Sequence, residues 1–307
     1  MNIFDLSLRH ILVFNSVAKT LNMSRSAKEL HITQPAVTQT IKDIESKFST
    51  KLFVKRGRNL YLTQEGRDFY IYTQRVINLL KDAQMCLESF KDLNRGLVRV
   101  GASTTIGNYL LPELIKTFND KYKNIKVITF IGNTRDIIKK LELYDIDLGL
   151  IEGLPQSDEG NIKTTKFMED ELVFICSNKH PLGERQNISI KEIEHESFIS
   201  RERGSGTRQI IETELGKMGI HLNVLYEFNN SEAVKNAVLN NLGISVLSKL
   251  IVKKELGSGA IKRINIKDFK ITRWFYILEA NNYNKAQQEF VQHVKKIGKL
   301  MHVEDID

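Results

Sequence analysis

Residues 26–45 read SAKELHITQPAVTQTIKDIE, and this stretch decides how the N-terminal part folds. Thr33 is a good N-cap, and Pro35 falls in the first turn of the helix it opens, where a missing N–H does no harm. Val37, Ile41, Ile44 and Phe48 then recur at helical spacing and give that helix one apolar stripe. Upstream, Ser24 opens a short helix through Ala27 and Leu30 that ends at His31-Ile32. Ala27 is small enough to let the two helices approach closely. Two short helices joined by a tight turn form a helix-turn-helix. The opposite face of the second carries Gln34, Thr38, Gln39 and Lys42, residue types that read base edges and phosphates in a major groove.

Working outward, Leu8, Ile11, Leu12, Phe14, Val17 and Ala18 predict a preceding helix over 6–20. On the other side, LFVKRGRNLYL (52–62) alternates about a Gly-containing turn. It reads as a hairpin wing with Lys55, Arg56 and Arg58 at its tip, placed for phosphates or a minor groove. Residues 1–62 hold ten basic side chains against four acidic ones, an excess of six out of +8 for the whole chain. A basic end on a nearly neutral body points to a polyanion-binding module joined to a partner domain. Charge alone also fits a solubilising surface, and a bare three-helix unit also fits plain packing. The basic wing and that charge excess, coupled to the three helices, are what favour DNA.

The 26–45 stretch resembles the DNA-binding signature of LysR-type transcriptional regulators. So does Leu52-Phe53 followed by Arg56 and by Leu62-Thr63-Gln64-Glu65-Gly66. Thr33 and Thr38 stand where many members have serine, which keeps the hydroxyls. The positions expected on DNA are Arg25, Ser26, Thr33, Gln34, Pro35, Thr38, Gln39, Lys42, Lys55, Arg56 and Arg58. The resemblance implies an α/β protein overall: an N-terminal winged helix-turn-helix, a long linker helix, and a two-lobed effector domain like a periplasmic binding protein.

Thr63 can cap the linker helix, with Glu65 in its positive first turn. Phe69, Tyr72, Val76, Leu79, Ala83, Cys86, Phe90 and Leu93 follow in steps of three and four, the period of a coiled-coil seam. From Gln64 to Asp92 such a helix is about 43 Å long and has little to pack against except a second copy, so dimerisation is expected. Cys86 on that seam reads as a small buried hydrophobe rather than a redox sensor. Asn94-Arg95-Gly96 ends the helix.

From Leu97 strands and helices alternate. Strands are predicted at 97–102, 125–131, 146–151, 172–176, 197–200, 224–228, 244–247 and 274–280. Helices are predicted near 107–121, 134–143, 207–218, 231–241 and 284–301. Alternation argues for a largely parallel sheet covered by helices. In the family the last piece returns to the first lobe, with crossovers near Thr165–Phe167 and Phe269–Ile271. The expected domains are therefore 1–62, 63–95 and 96–307, with lobe one at 96–166 and 270–303 and lobe two at 167–269.

Three strand-to-helix junctions are built for a ligand cleft: 101–105, 200–208 and 229–231. Small residues admit a ligand to the backbone, while hydroxyls and helix-terminal N–H groups favour an anion. An N-cap hydroxyl is most often structural, so convergence carries the reading. The predicted site is Ser103, Thr104, Thr105, Asn133, Thr134, Glu152, Ser200, Arg201, Gly204, Ser205, Gly206, Thr207, Asn230 and Ser231. Glu152 would suit an amine, so a zwitterionic amino-acid derivative and a plain anion both remain open. The Gly204–Arg208 run resembles that of members governing sulfur and cysteine metabolism, whose effectors include O-acetylserine and small inorganic anions.

No run of eighteen apolar residues is available for a membrane span. Asp5 and Arg9, with no small-residue cleavage site after them, argue against a signal peptide. Cys86 and Cys176 have no metal-like spacing and suit a reduced cytoplasm. No nucleophile elbow, Walker loop, dinucleotide fingerprint or His-Glu-x-x-His pair occurs. An enzyme and an exported binding protein are the disfavoured alternatives. The expectation is a cytoplasmic regulator without enzyme activity, metal or cofactor. Its partners are double-stranded promoter or operator DNA, a small-molecule effector, further copies in a homodimer or homotetramer, and RNA polymerase, with no membrane.

Overall fold

A computed structural model describes residues 6–57, 59–89, 96–153, 162–280 and 284–304. Two compact units result, residues 1–91 with 142–144, and residues 92–141 with 145–307. Arg58, Phe90, Leu93, Asn94, Arg95 and the side chain of Cys86 lie outside what is described.

The first unit contains α1 (Leu8–Thr20), α2 (Met23–Glu29), α3 (Gln34–Lys47), β1 (Phe53–Arg56), β2 (Asn59–Leu62) and α4 (Gln64–Ser89). Side chains start each helix: Ser7, Asn22, Thr33 and Thr63 accept backbone N–H groups of His10, Arg25, Ala36 and Gly66. Asn22 rather than Ser24 caps α2. The hairpin pairs Phe53 with Leu62 and Arg56 with Asn59. Its two-residue turn starts at Gly57, whose φ of 61° suits a turn matched to strand twist.

Val13, Phe14, Val17, Ala27, Val37, Ile41, Ile44, Leu52 and Phe53 form the core of this unit. Val13 was not expected there. Leu8 (47% exposed), Leu12 (42%) and Phe48 (38%) lie outside it, because the buried stripe of α1 runs through Ile11, Phe14 and Ala18 with Val13 and Val17 beside it. Phe69 is not a seam residue either. Its ring lies 4.7 Å from that of Phe14 and joins α4 to the core. Tyr72, Val76 and Leu79, the next seam residues, are exposed in the single chain.

The second unit runs β3 (Gly96–Ser103), α5 (Thr104–Tyr109), α6 (Leu111–Lys121), β4 (Ile125–Gly132), α7 (Thr134–Glu142), β5 (Leu148–Glu152), β6 (Ile162–Ser177), β7 (Phe198–Arg201), α8 (Gly206–Lys217), β8 (Val224–Phe228), α9 (Ser231–Leu239), β9 (Ser245–Ser248), α10 (Lys249–Ser258), β10 (Ile261–Arg263), β11 (Ile271–Ala280) and α11 (Lys285–Glu304). The main sheet has the order β10-β6-β11-β5-β3-β4, with β9 also on β6; β7 and β8 pair separately. Strands β3, β4 and β5 are mutually parallel, as are β7 and β8.

The expected predominance of parallel pairing is not found, because the two crossovers are themselves strands. Residues of β6 and β11 pair antiparallel from Ile162 opposite Ala280 to Leu172 opposite Ile271. Lys163–Lys166 and Glu169–Glu171 look like loop composition in the sequence, yet they lie in this ladder. Apolar clusters flank it on both sides. One gathers Val98, Val100, Leu114, Phe118, Phe275 and Phe290. The others gather Leu172, Phe174, Phe198 and Ile244, and Ile199, Val234, Leu247 and Ile251. The result is a mixed α/β body of two lobes. Helix α10 and strand β10 were not foreseen.

Candidate nucleic-acid interface and ligand cleft

On α3, Gln34, Pro35, Gln39 and Lys42 are exposed and Thr38 is half-buried. The Thr33 hydroxyl accepts the Ala36 N–H at 3.4 Å and so fixes where the helix begins. Gln39 donates to Asp43 at 2.8 Å, and Arg25 pairs with Glu29 at 3.2 Å, both at the surface. Lys55 and Arg56 stand exposed on the wing, Arg56 over the Tyr61 ring at 5.9 Å. Ser26 differs from expectation: it is fully buried, its hydroxyl 2.6 Å from that of Thr20. It joins α2 to α1, and its side chain has no access to a nucleic acid.

Glu45 was missed. It sits in the last turn of α3, the negative end of a helix and an unfavourable place for an acid. That oddity was the available signal. The residue is 8% exposed. Oε1 accepts the N–H groups of Leu52 (2.9 Å) and Phe53 (3.2 Å), and Oε2 accepts Lys51 Nζ (2.8 Å). Burial works to raise its pKa, but Lys51 and the two N–H groups prevail and hold it below the usual carboxylate range. Glu45 thereby fastens the start of the wing to the end of α3.

In the second unit, α5, α7, α8 and α9 each begin just beyond a strand end. Asn133, Ser205 and Asn230 cap α7, α8 and α9, accepting the N–H groups of Asp136, Arg208 and Ala233. Arg201, 3% exposed, donates Nη1 to Thr104 Oγ1 (3.0 Å) at the start of α5 and to Ser231 Oγ (2.6 Å) at the start of α9. Its other nitrogens fork onto Glu202 at 2.8 and 3.0 Å. The Ser200 hydroxyl donates to the Arg201 carbonyl.

Glu152 is 2% exposed and does not offer a free carboxylate. It accepts the Thr105 N–H (3.3 Å) and the Thr207 hydroxyl (3.1 Å), and pairs with Arg273 Nη1 at 3.3 Å. Arg273 also donates Nη1 to Thr207 Oγ1 (2.8 Å) and Nε to Asp170 (2.7 Å), whose other oxygen accepts Ser248. Arg273 and Asp170 face each other directly across the β6–β11 ladder. Burial opposes ionisation of Glu152, yet Arg273 first, with the Thr105 hydrogen bond, keeps its pKa low. For Asp170 burial prevails over Arg273 and raises it. Sequence reasoning missed both Arg273 and Asp170. Their signal is a lone arginine in an apolar strand.

Gly206 packs so tightly that a Cβ would stand 2.5 Å from the Glu152 carbonyl oxygen and 2.7 Å from Thr134 Oγ1. Gly204, at φ 98°, turns its carbonyl to accept the Arg135 N–H. Among the described residues the buried Thr134 Oγ1, packed against Gly206, has no hydrogen-bond partner, while the Ser103 hydroxyl helps to keep the Glu152 pKa low. Among the described residues, no group of three or more His, Cys, Asp or Glu side chains is disposed to hold a metal. None of their helices is long and apolar enough to cross a membrane.

Two family models match the chain. One described as "Bacterial regulatory helix-turn-helix protein, lysR family" covers residues 8–67, and one described as "LysR substrate binding domain" covers 91–298. The HTH-type transcriptional regulator CysL of Bacillus subtilis is 31% identical over 260 residues, 85% of this chain and 86% of its own. The RuBisCO operon transcriptional regulator of Allochromatium vinosum is 31% identical over 298 residues, 96% of this chain and 98% of its own. Among solved structures, the regulatory domain of CcmR from Synechocystis PCC6803, in complex with 2-PG, superposes with a TM-score of 0.63 at 29% identity. It accounts for 67% of this chain and 99% of that domain.

Proposed function

The chain belongs to the LysR family of transcription regulators, and from that premise we propose how its parts divide the work. Residues 1–62 bind double-stranded DNA: α3 enters the major groove with Gln34, Thr38, Gln39 and Lys42, and the wing holds phosphates through Lys55, Arg56 and Arg58. Residues 63–95 pair two copies along Tyr72, Val76 and Leu79, and two such pairs make the tetramer. Residues 96–307 bind a small anionic effector between lobe one (96–166 and 270–303) and lobe two (167–269). The protein regulates transcription at promoters, in the cytoplasm with RNA polymerase, and catalyses no reaction.

One observation carries the effector reading. The strand-to-helix junctions that open α5, α8 and α9 are tied together, Arg201 reaching Thr104 and Ser231 and Thr207 reaching Glu152, so their helix N-termini support an anion there. The CcmR domain holds 2-PG, a small anion, within the same fold. The 204–208 run makes sulfur and cysteine metabolism the first process to examine. Regulation requires that the effector bind two states of the protein with different affinity.

The test selects operator DNA from a random pool with the full chain, then compares footprint and bend with and without candidate anions. A true effector at 100 times its Kd stabilises the protein by about 2.7 kcal/mol and alters the footprint. An unchanged footprint and bend at saturation would end the regulatory reading of the cleft.

A further inference from the structure

Resting on the reading of a cleft between two lobes, we infer that helix α5 is a latch. Tyr109, its last residue, is held on α9 by the buried Lys235 and sets how readily the lobes part, without touching what binds between them. In that reading α5 belongs to lobe one, and α9 and α10 to lobe two. The helix has six residues and serves two cores. Ile106 lies in the core of Val98, Leu114 and Phe118. Tyr109, nearly one turn on, packs against the core of Ile199, Val234 and Val252. Both ends of α5 are tied to α9. Arg201 makes the first tie, donating to Thr104 and to Ser231. The second lies about 7.5 Å further along the helix axis, five residues at about 1.5 Å each, out of hydrogen-bond reach of a small ligand at the first.

The second tie is built around a cation. Tyr109 donates its hydroxyl proton to Glu232. Lys235, 8% exposed, directs Nζ to Glu232 at 3.1 Å, to Glu255 on α10 at 3.0 Å and to the Tyr109 oxygen at 3.4 Å. An ammonium has three N–H donors, and here each has one acceptor. Burial works to lower the Lys235 pKa, but Glu255 and Glu232 prevail and raise it, so the ammonium stays charged. A buried cation keeps its place only while its donors are met. Glu232 and Glu255 stay with Lys235 when the lobes part. Tyr109 leaves. Parting therefore takes a phenol from Glu232 and an acceptor from Lys235, at a distance from any ligand in the cleft. Such a tie biases the balance between two states of the protein: it holds the lobes together, and its removal frees them.

Hydrogen exchange of the full chain, read by mass spectrometry with no ligand added, tests this. The reporter is the Arg135 N–H, which donates to the Gly204 carbonyl at 3.4 Å, from α7 to the loop before α8. It lies on neither α5 nor α9. Tyr109→Phe keeps the ring and removes the hydroxyl. Exchange across 133–137 and 203–207 is expected to speed up at least threefold, with the melting temperature and the exchange of β3 unchanged. Lys235→Met should do the same more strongly. It also leaves Glu232 and Glu255 without their cation, so Tyr109→Phe is the deciding variant. Faster exchange confined to α5 and α9 would make the tie a local packing contact and overturn the latch. The latch also fails, and the cleft reading stands, if the parent chain exchanges 133–137 faster than β3 and Tyr109→Phe changes nothing. Exchange at 133–137 as slow as at β3 in the parent and in both variants would mean that the lobes do not part, and both would fall. Faster exchange in Tyr109→Phe with operator affinity unmoved would sustain the latch and sink the regulatory reading of the cleft.

Discussion

Each unit of the molecule holds one buried glutamate whose pKa is kept low against its own burial, and the two are fastened in opposite ways. Glu45 takes its partners from Lys51, Leu52 and Phe53, six to eight positions along the chain. Glu152 takes them from Thr105 and Thr207, 47 and 55 positions away, and from Arg273 on β11. A local fastening holds one hairpin to one helix, so its failure stays local. A distributed fastening ties two lobes and both crossover strands to a single charge. The DNA module is thus assembled from separable parts, and the cleft from one network.

The strongest way to break that contrast is Arg273→Leu. It leaves Glu152 buried without its cation and Asp170 without its cross-strand partner, and removing one side of a buried pair costs about 3–5 kcal/mol. The chain has one tryptophan, Trp274, adjacent on the same strand. Its fluorescence during urea unfolding therefore follows the second unit alone. A loss under about 1 kcal/mol would show that the network carries no cooperative weight.

Glu45→Ala strands two backbone N–H groups at the hairpin's start, where water can reach them in part, so at the low end of about 1–3 kcal/mol per unsatisfied group a loss of about 2 kcal/mol in the first unit is expected. The pH dependence has a definite sign. The folded pKa lies below the unfolded one, so the contribution of Glu45 is fully present above the unfolded value, about 4.3. It is lost as pH falls through the folded value. Acid unfolding of the first unit should begin below about pH 4.3 and be shallower in Glu45→Gln. An identical acid limb in the variant would remove Glu45 from the account. Because the fastening is local, Glu45→Ala should leave base preference intact while flattening the salt dependence through a loosened wing.

The same contrast explains what was legible in the sequence. Caps at Thr33 and Thr63, the 3.6-residue stripe of α3 and the Gly57 turn are short-range features, and all were readable. The helix starts after the strands were readable for the same reason, since Asn133, Ser205 and Asn230 cap within three residues. Arg273 and Asp170 were not, because their meaning depends on β6 and β11 pairing in one register 103 positions apart. The partners of Glu152 were hidden in the same way: a carboxylate at a strand end looks available until its distant arginine is known. Leu8, Leu12, Phe48 and Phe69 were misplaced because helical period tells which residues share a face, not which neighbour covers it.

Gln34→Ala sharpens the local side of the comparison further. If Gln34 reads a base edge, its loss costs about 1–3 kcal/mol on the preferred site and far less on sites altered at that base pair. Binding to the selected operator and its single-base variants measures this. Equal loss on every sequence would move Gln34 from base reading to backbone contact.

The smallest effect belongs to the wing. Lys55 is exposed at the end of β1, one residue from the turn, and makes no ion pair among the described residues. If it holds a phosphate, Lys55→Ala releases about one counterion fewer on binding and lowers the salt slope by about one, equally for all DNA sequences. The fold should be indifferent, since the side chain is exposed. A changed base preference would mean that the wing and α3 are coupled beyond their shared anchor at Glu45. The first unit would then behave as a network like the second, and the distinction between separable and distributed fastening would be lost.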